Sequence, residues 1–170
     1  MQVDLYKQVS CVILSAGSSL RMGSHKALLA YDQERNFLQK ITSTYSQAGI
    51  EEVIVVVNAG LLKMIQEAKM PLPQHVKLVV NHKPGLGRFY SLQTGLQAVS
   101  PGHSCFFQNI DNPFVSGETL EGLINCSCKA DVIKPCFGGK SGHPVLISPS
   151  VIRAIIAEPD YTNHIDAFLH

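Results

Sequence analysis

The chain has 170 residues, 45% of them hydrophobic and 16% charged, enough apolar material for one buried core, which excludes a disordered chain. Fourteen basic against thirteen acidic side chains leave a formal charge of +1 at pH 7, too little to gather nucleic acid or a membrane surface through a global field. The longest aliphatic run, Val53 to Val57, is far below the roughly 20 residues of a spanning helix, and the polar start Met1 to Lys7 lacks a signal-peptide core, so a single-domain cytoplasmic protein is expected.

A strand is predicted over Val9 to Leu14, followed by a Gly/Ser-rich loop. Phe37, Leu38, Ile41, Tyr45 and Ala48 then share one helical face, and Gly49 ends that helix. Glu52 to Val57 reads as a fully buried strand of β-branched residues. Leu61, Leu62, Ile65 and Ala68 mark a second helix, stopped by Pro71 and Pro73, before a third strand at Val76 to Val80. Leu92, Leu96 and Val99 give the next helix face, and His103 to Gln108 a fourth strand. Ser116 is an N-cap for a helix carrying Leu120, Leu123 and Ile124, with Glu118 in its first turn. Asp131 to Pro135 and Pro144 to Ile147 are two more strands. Ser148-Pro149 opens a helix with Ile152, Ile155 and Ile156, and Thr162 caps a last short one. Continuous apolar strands alternating with helices predict an α/β fold around a mostly parallel sheet.

Five cysteines, Cys11, Cys105, Cys126, Cys128 and Cys136, form an odd set. A lone Cys-x-Cys pair without a nearby histidine is a weak zinc signal, so reduced thiols in or near the core are expected.

In an open parallel sheet ligands bind beyond the carboxyl ends of the strands. There the first loop reads Ser15-Ala16-Gly17-Ser18-Ser19-Leu20-Arg21-Met22-Gly23-Ser24-His25-Lys26. Its small residues let backbone N–H groups approach an oligophosphate, and Arg21 and Lys26 can neutralise the charge. The spacing is neither that of a P-loop nor that of the G-x-G-x-x-G dinucleotide fingerprint. Asp111 follows an apolar strand, and Pro113 fixes the turn after it. A carboxylate in that place either caps the turn or ligates Mg²⁺, and the cationic loop opposite favours Mg²⁺.

The run Leu14 to Gly23 followed by Lys26-Ala27-Leu28-Leu29 resembles the signature of Rossmann-like nucleotidyltransferases, most of all the molybdenum-cofactor cytidylyltransferases and their guanylyltransferase relatives. Asn81 to Ser91, Asp111-Asn112-Pro113 and Gly142-His143-Pro144 resemble that family's later segments in order and spacing. The resemblance implies a three-layer, glycosyltransferase-A-like sheet with helices on both faces. It implies nucleotide contacts from Leu14, Ala16, Gly17, Arg21, Lys26, Asn81 and Ser91, with Arg21, Lys26 and Asp111 as the catalytic set and Asp111 on Mg²⁺. Gly142, His143 and Pro144 would bind the acceptor. Ala16, where the guanylyl branch usually has Gly, favours CTP.

The implied reaction moves CMP from CTP to a phosphate-bearing acceptor, molybdopterin, and releases pyrophosphate; a molybdoenzyme or a maturation factor is the implied protein partner. The sequence departs from the family at Ile110 and Asn112. It also has no Asp-x-Asp-Thr-Pro-like motif near Asp160 and Asp166. The expectation is therefore one domain over residues 1–170 that lacks the family's C-terminal segment. A nucleotide- or cofactor-binding protein without turnover and a sugar-phosphate nucleotidyltransferase are the alternatives.

Overall fold

A computed structural model describes residues 8–17, 25–127, 130–162 and 165 of the protein. Its strands are β1 (Val9–Ser15), β2 (Glu52–Val57), β3 (Val76–Val80), β4 (Ser104–Asn109), β5 (Val132–Ile133), β6 (Cys136–Phe137), β7 (Lys140–Ser141) and β8 (Val145–Ile147). The helices are α1 (Phe37–Gln47), α2 (Ala59–Glu67), α3 (Gly87–Leu96), α4 (Gly117–Asn125) and α5 (Pro149–Ala157).

The main sheet has the order β3-β2-β1-β4-β8-β5. β1 lies parallel to β2 on one side and to β4 on the other, with Cys11 beside Val53 and Phe106. β3 extends the parallel part next to β2, whereas β8 pairs antiparallel with both β4 and β5. All seven residues of β1 and all six of β2 are buried, as β-branched strands covered on both faces must be. Alternation sorts their side chains: Cys11 and Ile13 face a core shared with α1, α2 and α4, while Val12 and Leu14 face one shared with α3 and α5. The result is the α/β fold predicted from the strand and helix pattern, in the three-layer arrangement that the family resemblance implies.

Local chemistry sets the helix starts. Asn36 and Gln39 form a reciprocal capping box on α1. Asn58, Ser116 and Ser148 cap α2, α4 and α5, the last with Pro149 in the first turn. Gly49 sits at φ +83 after α1, where a Cβ would be strained. On the other face, α3 comes so close to the sheet that a Cβ at Gly95 would stand 2.5 Å from Val12 Cγ1 and 2.8 Å from Val56 Cγ2. Gln93 of α3 donates from Nε2 to the carbonyls of Ile155 (2.8 Å) and Glu158 (2.7 Å), satisfying open groups at the end of α5.

Three elements differ from the expectation. β5 keeps only Val132–Ile133 of the predicted run, because the chain leaves the sheet to form the β6–β7 hairpin. Gly138 and Gly139 turn that hairpin at φ +57 and +76, the paired left-handed geometry of a two-residue loop. α3 begins at Gly87 and ends at Leu96, so Val99 lies beyond it. Cys11 and Cys105 are buried thiols as expected, but Cys136 is exposed on the hairpin. Cys128 and all but Ile165 of the short helix predicted after Thr162 lie outside the described residues. Among the described residues no helix is long and apolar enough to cross a membrane.

Candidate active site

From β1 the chain builds outward through β2 to β3, then returns across the sheet through α3 to β4 on the opposite side of β1. The strand order therefore reverses between β1 and β4, and a crevice opens beyond their carboxyl ends. A cleft of about 390 Å³ occupies that place. The carboxyl end of β1 supplies Leu14 to its walls, the loop after it Ala16 and Gly17, the next turn Lys26, α3 Ser91, and the turn after β4 Asp111.

Each wall is fixed locally. Ile110 N–H donates to the Leu14 carbonyl at 3.1 Å, tying the ends of β4 and β1 together. Asn58 Nδ2 donates to the Ala16 carbonyl at 3.2 Å, while its own oxygen caps α2. The turn holding Asp111 is braced from behind. The Tyr45 hydroxyl donates to buried Gln108 Oε1 at 2.6 Å, and Gln108 Nε2 donates to the Asn112 carbonyl at 3.1 Å.

Lys26 Nζ meets Asp111 Oδ2 at 3.1 Å, with the two side chains 41% and 51% exposed. A pair this exposed contributes only about 0–1 kcal/mol, so either partner can be drawn away by a ligand charge. The carboxylate thus already holds a cation at the mouth of the cleft. No group of three or more His, Cys, Asp or Glu side chains that could hold a metal occurs among the described residues. Asp111 fits a magnesium ion that takes one protein carboxylate and completes its shell with water and substrate phosphate.

The Asn81–Ser91 segment folds around its asparagine. Asn81 is 1% exposed; its Nδ2 donates to Ser91 Oγ at 2.9 Å and its Oδ1 accepts from Lys83 N–H at 2.7 Å. Ser91 Oγ in turn donates to the Gly87 carbonyl at 3.1 Å. Asn81 therefore stands behind Ser91 and not in the cleft wall. Gly87 opens α3 at φ +87, a conformation that favours glycine.

Gly142, His143 and Pro144 are not in this cleft. Gly142 and His143 line a second cavity of about 200 Å³, while Pro144, buried, follows a cis peptide bond. Burial first, and the positive charge of Arg88 next, lower the pKa of His143 from its ordinary 6.5, so its ring is neutral at pH 7. Arg21, named from the sequence with the rest, lies outside the described residues.

Among the polar cleft residues to which sequence reasoning assigned no role are His25, Arg88 and Asn109. Arg88 and Asn109 line both cavities. Arg88 sits inside a segment already singled out, in Gly87-Arg88-Phe89, and its charge was the available signal.

The family model described as "MobA-like NTP transferase domain" matches residues 11–164. The molybdenum cofactor cytidylyltransferase of Escherichia coli is 24% identical over 166 residues, which cover 95% of this chain and 81% of that protein. A "Probable molybdenum cofactor guanylyltransferase" of Rhodopirellula baltica is 30% identical over 116 residues, covering 67% of this chain and 53% of its own length. Among solved structures, Rv0371c of Mycobacterium tuberculosis matches with a TM-score of 0.75 at 24% identity, over 89% of this chain and 76% of that one. The same protein has been solved in complex with manganese.

Proposed function

We propose a reaction for this chain from one premise: it belongs to the MobA-like NTP transferase domain family. The reaction moves a nucleoside monophosphate from an NTP to a phosphate-bearing acceptor. An acceptor phosphate oxygen forms a bond to the α-phosphorus while the bond from that phosphorus to the α–β bridging oxygen breaks. Pyrophosphate leaves with that oxygen and its electron pair. The nucleophile is already anionic, so the protein's tasks are positioning and charge neutralisation.

One observation carries the reading. The cleft lies at the strand-order reversal, with the Lys26 cation and the Asp111 carboxylate meeting at its mouth on separate loops. Backbone N–H groups near Leu14, Ala16 and Gly17 would take the nucleotide, and Lys26 with Arg21 its triphosphate oxygens. Ser91 would complete the wall, held in place by Asn81. Mg²⁺ on Asp111 would supply charge neutralisation at the phosphates. Gly142, His143 and Pro144 would face the acceptor. CTP is the favoured nucleotide because of Ala16, and molybdopterin the favoured acceptor, by analogy with the cytidylyltransferase relative.

Calorimetric titration of CTP, GTP, UTP and ATP with and without Mg²⁺, followed by pyrophosphate release with molybdopterin, tests the reading. Tight Mg²⁺-dependent binding of CTP with acceptor-dependent release supports it, and binding of no NTP overturns it. A second reading, ligand binding without turnover, has its own support. Asp111 is the one acidic residue lining the cleft among the described residues, and a misplaced α-phosphate can slow transfer on the order of a hundredfold. CTP binding without pyrophosphate release would favour that second reading.

A further inference from the structure

We propose that Arg88, Lys134 and His143 form an anion subsite beside the nucleotide cleft, and that it takes the phosphate group of the acceptor. The inference rests on the nucleotidyl-transfer reading and names residues that neither the motifs nor the likeness to relatives singled out together.

The second cavity is built by the hairpin. Gly142 N–H donates to the Pro135 carbonyl at 2.9 Å and closes the base of the β6–β7 excursion. That bond brings Lys134, just before the hairpin, alongside His143, just after it. Arg88 enters from the first turn of α3, and it lines the nucleotide cleft as well.

The charge of the two cavities differs. In the nucleotide cleft Lys26 is balanced by Asp111. Among the described residues no acidic side chain lines the second cavity, and neither Arg88 nor Lys134 is ion-paired. Two permanent cations with no acid among the described lining residues favour an anion over a metal, although the Asp111 carboxylate of the neighbouring cleft is also felt at His143. A guanidinium offers a planar fork for phosphate oxygens, and an ammonium adds a point charge.

His143 adds a neutral group. Its ring packs edge-on against Phe107, 6.0 Å between centroids. Its Nδ1 is buried, and burial with the nearby Arg88 charge keeps the ring neutral, so it walls the cavity without adding charge of its own. A volume of about 200 Å³ admits a phosphomonoester end but is half that of the neighbouring cleft. Arg88, shared by both cavities, is placed to hold the acceptor phosphate and the α-phosphate against each other. Their mutual repulsion is what such a reaction must overcome.

Inorganic phosphate is the probe, and the His143 ring resonances in proton NMR of the full chain are the readout. The wild type should show a saturable shift with phosphate that persists when the cleft is filled with Mg²⁺ and a non-hydrolysable CTP analogue. Lys134→Ala, and Lys134→Gln as a variant that keeps the aliphatic stem, should weaken phosphate at least tenfold and CTP less than twofold. Arg88→Gln should weaken both ligands. No saturable response, a response abolished by the CTP analogue, or unchanged phosphate affinity in both folded Lys134 variants would overturn the subsite. A phosphate response in a chain that binds no NTP would leave the subsite standing and remove the nucleotidyl-transfer reading.

Discussion

Asp111 and Lys26 carry opposite duties across one exposed ion pair, so changing each should leave stability nearly alone and alter binding in its own way. Asp111→Asn is nearly isosteric, and the side chain is 51% exposed; unfolding should shift by no more than about 0.5 kcal/mol. The Mg²⁺ dependence of CTP binding should disappear, as calorimetry with and without the metal would read. Lys26→Ala should weaken triphosphate binding by about 1.5–3 kcal/mol, the worth of a charge-assisted contact, and leave the urea midpoint in place. Glu52 is the contrasting residue, at the amino end of β2. Burial raises its pKa, but bonds from Ser10, from the Ser100 N–H and hydroxyl, and from Lys77 outweigh that and bring it from 4.5 to about 2. A depressed carboxylate stabilises the fold fully above its unfolded value, and the contribution fades as pH falls from about 4.5 toward 2. Urea unfolding against pH should show that loss in the wild type. Glu52→Gln should be less stable at pH 7 and should lose much of the acid slope.

Helix α3 is the element on which the cleft depends, because it carries Arg88 and Ser91 and is seated through Gly95. Gly95→Ala would push a methyl group against Val12 and Val56. Overpacking costs about 1–3 kcal/mol, only partly offset by roughly 1 kcal/mol of helix propensity. The variant should therefore unfold at lower urea, and CTP affinity should fall as the helix is displaced. How far each element was legible follows from its physics. β2 and β3 match their predicted bounds because runs rich in β-branched residues announce a strand, fully buried in β2 and only partly covered in the edge strand β3. The first turn of α3 was missed because Gly87 and Arg88 give no apolar period. The β6–β7 hairpin was missed because two-residue strands are too short to alternate, although Phe137-Gly138-Gly139-Lys140 held the turn chemistry. Lys26 and Asp111 could be paired on charge alone. The place of Asn81 behind Ser91, and of Arg88 between two cavities, depends on how α3 crosses the sheet, which spacing does not encode.

Across the whole molecule, the two ends of the parallel strands have separate work. The Glu52 network joins Ser10, Ser100 and Lys77 at the amino ends, and both cavities open at or near the carboxyl ends. The middle of the sheet is β1, buried at every residue and hydrogen-bonded to strands on both sides. That burial has a consequence for deuterium exchange. The β1 amides can trade protons with water only when the whole molecule opens, whereas the short edge strand β5 can open by itself. A nucleotide held by the loop that leaves β1 should then slow exchange across that strand by the entire binding free energy, about 2.7 kcal/mol at 100 times the dissociation constant. The β5 amides should gain less protection than that. Equal slowing in β1 and β5 would mean that the sheet opens as one cooperative unit, with the loop's grip felt out to its far edge.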